Sequence, residues 1–143
     1  MLKPTGLIRG HYECRSSDQT LPILNDILAL EVVAEKNGEV LGWVHASSYR
    51  SRDCYSGVAE FSIYVSEKAR GQGVASLMCE HSQQEAKKMD FRAMQYNLVV
   101  STNQGAIRLW QKHGFRIVGC LSGAFKHQQL GFVDAFVMYK ELI

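Results

Sequence analysis

Between residues 31 and 65 the chain alternates apolar and polar positions in short runs, a period of two that belongs to half-buried β-strands. In EVVAEKNGEVLGWVHA, Asn37-Gly38 sits between two such runs, the strongest short-range signal for a β-hairpin. The pattern predicts antiparallel strands over 31–36 and 39–47, a polar loop (SSYRSRDCYSG), and a third strand over 58–65, VAEFSIYV. The period then lengthens. Over 72–89, Val74, Leu77, Met78, His81, Glu85 and Met89 recur at the spacing of one helix face. A strand follows at 93–100 (AMQYNLVV). Next comes a helix over 103–113, opening near Thr102 or Asn103 and stopping at Gly114, and then strands at 115–122 and 132–140. Upstream, His11–Arg15 reads as a short first strand, and Ser17 or Asp18 caps a helix through Leu21, Leu24, Ile27 and Leu28. Strands that alternate with helices and also form hairpins predict an α/β fold with a mixed sheet.

Length and composition narrow the class. With 143 residues the chain is read as one domain, 1–143. Its 46% apolar and 21% charged residues exclude disorder, a coiled coil and a disulfide-dense scaffold. Sixteen basic against 14 acidic residues leave a net charge of +2, which offers no general field for nucleic acid or a membrane. No apolar run approaches the ~18 residues of a membrane span, and the N-terminus has no apolar export signal. Cys14, Cys54, Cys79 and Cys120 form no C-x-x-C, and the histidines have no ligand spacing, so no metal is expected. Reduced thiols in the cytoplasm are the expectation. His45, His81 and His113 stand alone and read as structural or surface residues.

Chemistry concentrates between Ile63 and Ser76. A strand ends at Val65, Arg70-Gly71-Gln72-Gly73 follows, and a long amphipathic helix begins. Two glycines let the backbone turn tightly and approach a ligand without a Cβ. The amides of Gly71, Gln72, Gly73, Val74, Ala75 and Ser76 lie where a helix N-terminus offers unpaired N–H groups and a positive dipole, a phosphate site to which Arg70 adds a cation. The dinucleotide fingerprint fails, because Ser76 stands where its third glycine belongs, and Walker A fails for want of Gly-Lys-Ser/Thr. The plain alternative is a strand–helix turn punctuated by glycine.

Strand, R-G-x-G-x-A and helix, in that order, resemble the acetyl-CoA signature of the GNAT N-acetyltransferase superfamily. STNQGAIRLWQKHGFRIVG resembles its second signature, N-x-x-A-x-x-L-x-x-x-x-GF, with Asn103, Ala106, Leu109, Gly114 and Phe115 in place. Within the superfamily the similarity runs to the phosphinothricin and methionine-derivative acetyltransferases, whose Arg-containing loop and Glu-bearing strand are similar to ASSYRSRDCYSGVAEFSIYV. Their late Lys and Asp correspond to Lys126 and Asp134. The resemblance runs over roughly residues 31–142. It implies a mixed, mainly antiparallel central sheet of six to seven strands flanked by helices, with acetyl-CoA as cosubstrate and a small, amino-acid-like amine as acceptor. It also implies a homodimer and an N-terminal helical part that is shortened here, the acceptor cover being reduced or supplied by a partner chain.

Residue roles follow from the same resemblance. Glu60 matches the family's general base, and a carboxylate among the apolar neighbours of VAEFSIYV suits proton removal from an ammonium; the competing reading is a solvent-facing residue sharing one strand face with Ser62 and Tyr64. Ile63, Tyr64 and Val65 would pair with the pantetheine arm where a backbone break parts their strand from its parallel neighbour. The Val65 amide would face the thioester oxygen. Asn103 either caps its helix or contacts the pantetheine. Arg50 and Arg52 would bind an acceptor carboxylate or lie solvated in the loop. Trp43, Tyr49 and Tyr55 would wall the acceptor pocket or join the core. Trp110 departs from the family, which often has Tyr or His there. Its indole N–H cannot release a proton at neutral pH, so it reads as a packing residue. The second reading of the whole chain is a non-catalytic CoA-binding or regulatory module.

Overall fold

Asn37 and Gly38 both take positive φ, 51° and 79°, as a two-residue hairpin between right-twisted strands requires. They join β2 (Ala29–Lys36) to β3 (Glu39–Ser48) in the computed structural model, which describes residues 13–16, 29–49 and 53–143. Around this hairpin lie β1 (Glu13–Ser16), β4 (Val58–Val65), α1 (Val74–Lys88), β5 (Ala93–Val100), α2 (Gln104–Lys112), β6 (Arg116–His127) and β7 (Gly131–Glu141). The strands form one seven-stranded sheet in the order β1-β2-β3-β4-β5-β7-β6. The β4–β5 pair is parallel and the others are antiparallel. This is the mixed, mainly antiparallel sheet the sequence implied. The helix expected after Ser17 falls outside the described residues.

One face of the sheet is apolar and carries both helices. Val32, Ala34, Val44, Ala46, Ala59, Phe61, Met94 and Tyr96 project from it into a core with Val74, Leu77, Met78, Ile107 and Trp110. The other face carries the alternate positions: Trp43, His45, Glu60, Ser62, Tyr64, Gln95 and Asn97. Strand alternation therefore separates packing from chemistry. No helix among the described residues is long and apolar enough to cross a membrane.

Several boundaries shift by one or two residues from the sequence reading, and two differences have a direct physical reason. The first helix begins at Val74 rather than at 72, because Gly73 takes a left-handed conformation (φ 84°, ψ 8°) that cannot continue a helix. β6 runs on to His127, well past 122, because pairing with β7 carries it across Gly119, Gly123 and a register shift between Leu121 and Phe125. Asp134 holds that irregularity, its Oδ1 accepting from the Gly123 amide at 2.9 Å, and Lys126 lies over the Phe132 ring.

Gly42 marks where β3 passes closest to α1. A Cβ there would lie 2.5 Å from Met78 Cε, 2.9 Å from Met78 Sδ and 3.2 Å from the Tyr64 carbonyl oxygen. Met78 is fully buried, so the end of its side chain must repack within the core to make room. Gly42→Ala is expected to cost about 1–3 kcal/mol through overpacking. Denaturant melting checks this, and an unchanged midpoint would refute the close approach.

Candidate active site

β4 and β5 run side by side for three rungs only, Val58↔Ala93, Ala59↔Met94 and Glu60↔Gln95. Beyond Glu60 the two strands part. β4 keeps an unbroken register with β3 from Ala59 to Val65, so the irregularity is not in β4. It lies in β5, where Leu98 takes φ 54° and the register with β7 shifts between Tyr96 and Val99. The expected divergence is thus present, with the recorded backbone distortion on the partner strand. Past the parting point the main chain of Ile63–Val65 has no β5 partner.

A cleft of about 720 Å³ opens at this place. Its walls are the end of β4 (Ile63, Tyr64, Val65), the turn Arg70–Gly71–Gly73 with the first turn of α1 (Val74, Ala75, Ser76), and the start of α2 with Asn103. Gly71 and Gly73 both have positive φ, 74° and 84°, and a Cβ on either would meet nothing within 4 Å. That open cradle, at the amide end of a fifteen-residue helix, fits a diphosphate held by main-chain N–H groups. Arg70 is exposed beside it. Gln72, expected in the same site, is not among the lining residues; its side-chain amide donates to the Lys68 carbonyl oxygen at 2.9 Å.

Asn103 is the helix cap: its Oδ1 accepts from the Ala106 amide at 3.2 Å, which decides the choice against Thr102. Asn103 also lines the cleft, so capping and ligand contact are compatible rather than competing. Ala69, Gly105, Ala106, Leu109 and Trp110 complete the lining. The sequence reading did not assign them there, although Ala106 and Leu109 belong to the second signature. Trp110 is buried and stacks on Tyr96 with ring centroids 4.5 Å apart and planes 13° from parallel. The Tyr96 hydroxyl points to Cys79 Sγ at 3.9 Å, and burial pushes Tyr96 well above the ordinary tyrosine pKa.

Glu60 stands at the last paired rung, half-buried on the face away from the helices. Asn97 Nδ2 donates to Glu60 Oε1 at 2.9 Å, and Gln95 Nε2 donates to Asn97 Oδ1 at 2.8 Å. This chain of amides holds the carboxylate in one position, and no sequence signal singled out either amide residue. Farther along the same face Trp43 stacks on Tyr64 (5.4 Å, 19°) and lies 6.0 Å from the His45 ring. Tyr49 is half-buried and its amide donates to the Val58 carbonyl oxygen at 2.9 Å, closing the β3–β4 connection. Arg50 and Arg52 lie outside the described residues. Tyr55 is exposed. His113 is not isolated: its Nε2 lies 2.6 Å from Ser76 Oγ at the cleft wall.

The pattern that defines the Acetyltransferase (GNAT) family matches residues 9–115. The chain belongs to the GNAT acetyltransferase family. Acetyl-CoA is the cosubstrate of that family. Among curated relatives, a putative phosphinothricin acetyltransferase (YwnH) of Bacillus subtilis is 31% identical over 66% of this chain and 57% of its own length. A phosphinothricin N-acetyltransferase of Alcaligenes faecalis is 30% identical over 78% of this chain and 56% of its own. The chain therefore spans a little over half the length of these relatives. Among solved structures, a GCN5-related N-acetyltransferase from Kribbella flavida superposes with a TM-score of 0.76 at 37% identity, covering 79% of this chain and 67% of that one. A Sinorhizobium meliloti phosphinothricin acetyltransferase in complex with acetyl-CoA gives 0.71 at 29%, covering 79% and 60%. For this GNAT chain the cleft beside Gly71 and Gly73 is then the candidate cosubstrate site, and the Glu60 face the candidate acceptor side.

Proposed function

We propose that this GNAT chain transfers the acetyl group of acetyl-CoA to the primary amine of a small, amino-acid-like acceptor. One observation carries the reading: the expected cosubstrate residues, Gln72 apart, line a single cleft beside the part of β4 that follows Glu60, where its pairing with β5 has ended. In this reading the turn amides and Arg70 hold the diphosphate, and the unpaired main chain of Ile63–Val65 holds the pantetheine arm. The amine nitrogen attacks the thioester carbonyl carbon, and the C–N bond forms as the C–S bond breaks. Glu60 takes the proton lost by the amine, directly or through water. The Val65 amide donates to the carbonyl oxygen as negative charge builds there. The thiolate leaves unaided, since a thiol with a pKa of about 8.5 is a fair leaving group. Relatives named for phosphinothricin support an acceptor of the amino-acid kind, and Trp43 and Tyr64 give it an aromatic wall.

The same reading includes a cytoplasmic setting, supported by the free thiols of Cys54, Cys79 and Cys120. It also includes a homodimer. β6 is the last strand of the sheet and exposes Val118, Leu121 and Phe125 with Phe132 of β7, a surface suited to a second copy. Arg50 and Arg52 remain the proposed acceptor-carboxylate ligands.

The deciding experiment is thiol-detected CoA release with acetyl-CoA across a panel of amines. Turnover with amino-acid-like amines is the expected result. Tight acetyl-CoA binding with no turnover on any amine would instead favour a non-catalytic CoA-binding module. That second reading draws on one observation: Trp110, whose indole N–H releases no proton at neutral pH, stacks on Tyr96 at the cleft wall.

A further inference from the structure

Ser76 lies in the first turn of α1 and is one of the residues lining the cleft. Across 37 residues of sequence, His113 at the end of α2 places Nε2 2.6 Å from Ser76 Oγ. The imidazole is nearly buried, with its side chain 9% exposed. Its other nitrogen, Nδ1, points toward Glu80 Oε1 at 4.0 Å. A Ser–His–Glu nucleophile is not what this makes, because 4.0 Å is too long for the orienting hydrogen bond and Glu80 is 53% exposed.

The placement of protons is the informative part. Glu80 Oε1 is too far for a hydrogen bond, but its negative charge on the Nδ1 side favours the tautomer with its proton there. Neutral His113 then offers a lone pair at Nε2, and Ser76 donates its only hydrogen to it. The hydroxyl oxygen is left presenting lone pairs to the cleft, which repels an anion. Protonated His113 reverses the bond: Nε2–H donates to Ser76 Oγ, and the hydroxyl hydrogen is free to turn toward a phosphate oxygen. We propose that His113 is a proton-coupled positioning residue for the cosubstrate diphosphate, acting through the Ser76 hydroxyl. This rests on the reading of the cleft as the acetyl-CoA site.

The charges around the ring fit a group that is neutral before ligand arrives. Burial holds His113 below the ordinary histidine pKa; Glu80 of α1 opposes this, while Lys112 of α2 and Lys140 of β7 add to it. Lys140 is tied in place by the His113 carbonyl oxygen at 2.8 Å and Gln83 Oε1 at 2.5 Å. A diphosphate binding beside Ser76 brings negative charge that favours the imidazolium. Binding therefore takes up a proton, and affinity rises as pH falls toward the free-state pKa of His113, by at most about tenfold per pH unit for one coupled proton.

Calorimetric titration with 3′-dephospho-CoA, whose diphosphate does not titrate near neutrality, tests this in two buffers of different ionisation enthalpy between pH 5.5 and 8. Wild type is expected to take up part of a proton and to bind several-fold tighter at the acid end. His113→Gln should abolish the uptake and flatten the pH profile, and Ser76→Ala should diminish both, leaving only the direct pull of the diphosphate charge on the ring. Wild-type binding without proton uptake would overturn the coupling and leave the cosubstrate site standing. Uptake as large in Ser76→Ala as in wild type would overturn the route through the hydroxyl, even if the His113 variant does not fold. Absence of binding at every pH would overturn the site itself and the coupling with it.

Discussion

Exchange of Glu60 for glutamine is expected to lower turnover by about 10²-fold or more, with little change in the Kd for acetyl-CoA. A positioned general base contributes typically 10²–10⁴-fold, and an amide cannot accept the proton. Shape is preserved, because a glutamine oxygen can still accept from Asn97 Nδ2, which now meets Glu60 Oε1 at 2.9 Å. Binding is spared because Glu60 is not among the residues lining the cosubstrate cleft. Steady-state CoA release and a separate titration with acetyl-CoA read the two effects apart. Wild-type turnover in Glu60→Gln would remove the base assignment while leaving the enzyme. Asn97→Ala supplies the companion measurement. It keeps the carboxylate and loses its tether, so kcat falls by less than in Glu60→Gln.

The second large effect is expected at Gly73. Its φ of 84° lies in the left-handed region, which costs an L-residue with a Cβ roughly 1–2 kcal/mol. A Cβ there meets nothing within 4 Å, so the effect is one of backbone conformation and not of collision. Gly73→Val adds the stiffness of β-branching. To relieve the strain the turn must rotate, and the amides at the start of α1 then no longer converge on one diphosphate. A loss of about tenfold or more in acetyl-CoA affinity follows, since each 1.4 kcal/mol is tenfold. Gly38→Ala is the control. Its φ is 79°, it too has open space around it, and it lies in the β2–β3 turn away from the cleft. It should lower the melting temperature and leave affinity untouched. Equal affinity in Gly73→Val and wild type would refute the cradle.

Much of the cosubstrate half of the site was legible along the chain. The Asn37-Gly38 turn, the strand at 58–65 and the strand at 93–100 are written in signals a few residues long. So are the glycines after Arg70, and Asn103 three residues before the amide it caps. Each depends on steric and hydrogen-bonding preferences that act within one turn or one strand, so spacing alone exposes them. The acceptor half was less legible. Glu60 drew attention as a carboxylate in an apolar strand, yet nothing in the sequence marked Asn97 or Gln95, because alternating polar residues on a strand look alike whether they face water or a carboxylate.

By itself, then, the sequence determined the elements, the glycine turn and the membership of the chain in a family. What only the tertiary structure decided is what meets across space. The parting of β4 from β5 beyond Glu60 depends on a left-handed residue, Leu98, in the neighbouring strand. The fixing of Glu60 by Asn97 depends on parallel pairing of strands whose members are 37 positions apart. Trp110 became a stacked wall because Tyr96 arrives beneath it, and His113 became a partner of Ser76 because the end of one helix packs beside the start of another. Local propensity acts over a few residues, whereas these contacts form only when burial of a shared apolar face brings distant segments together.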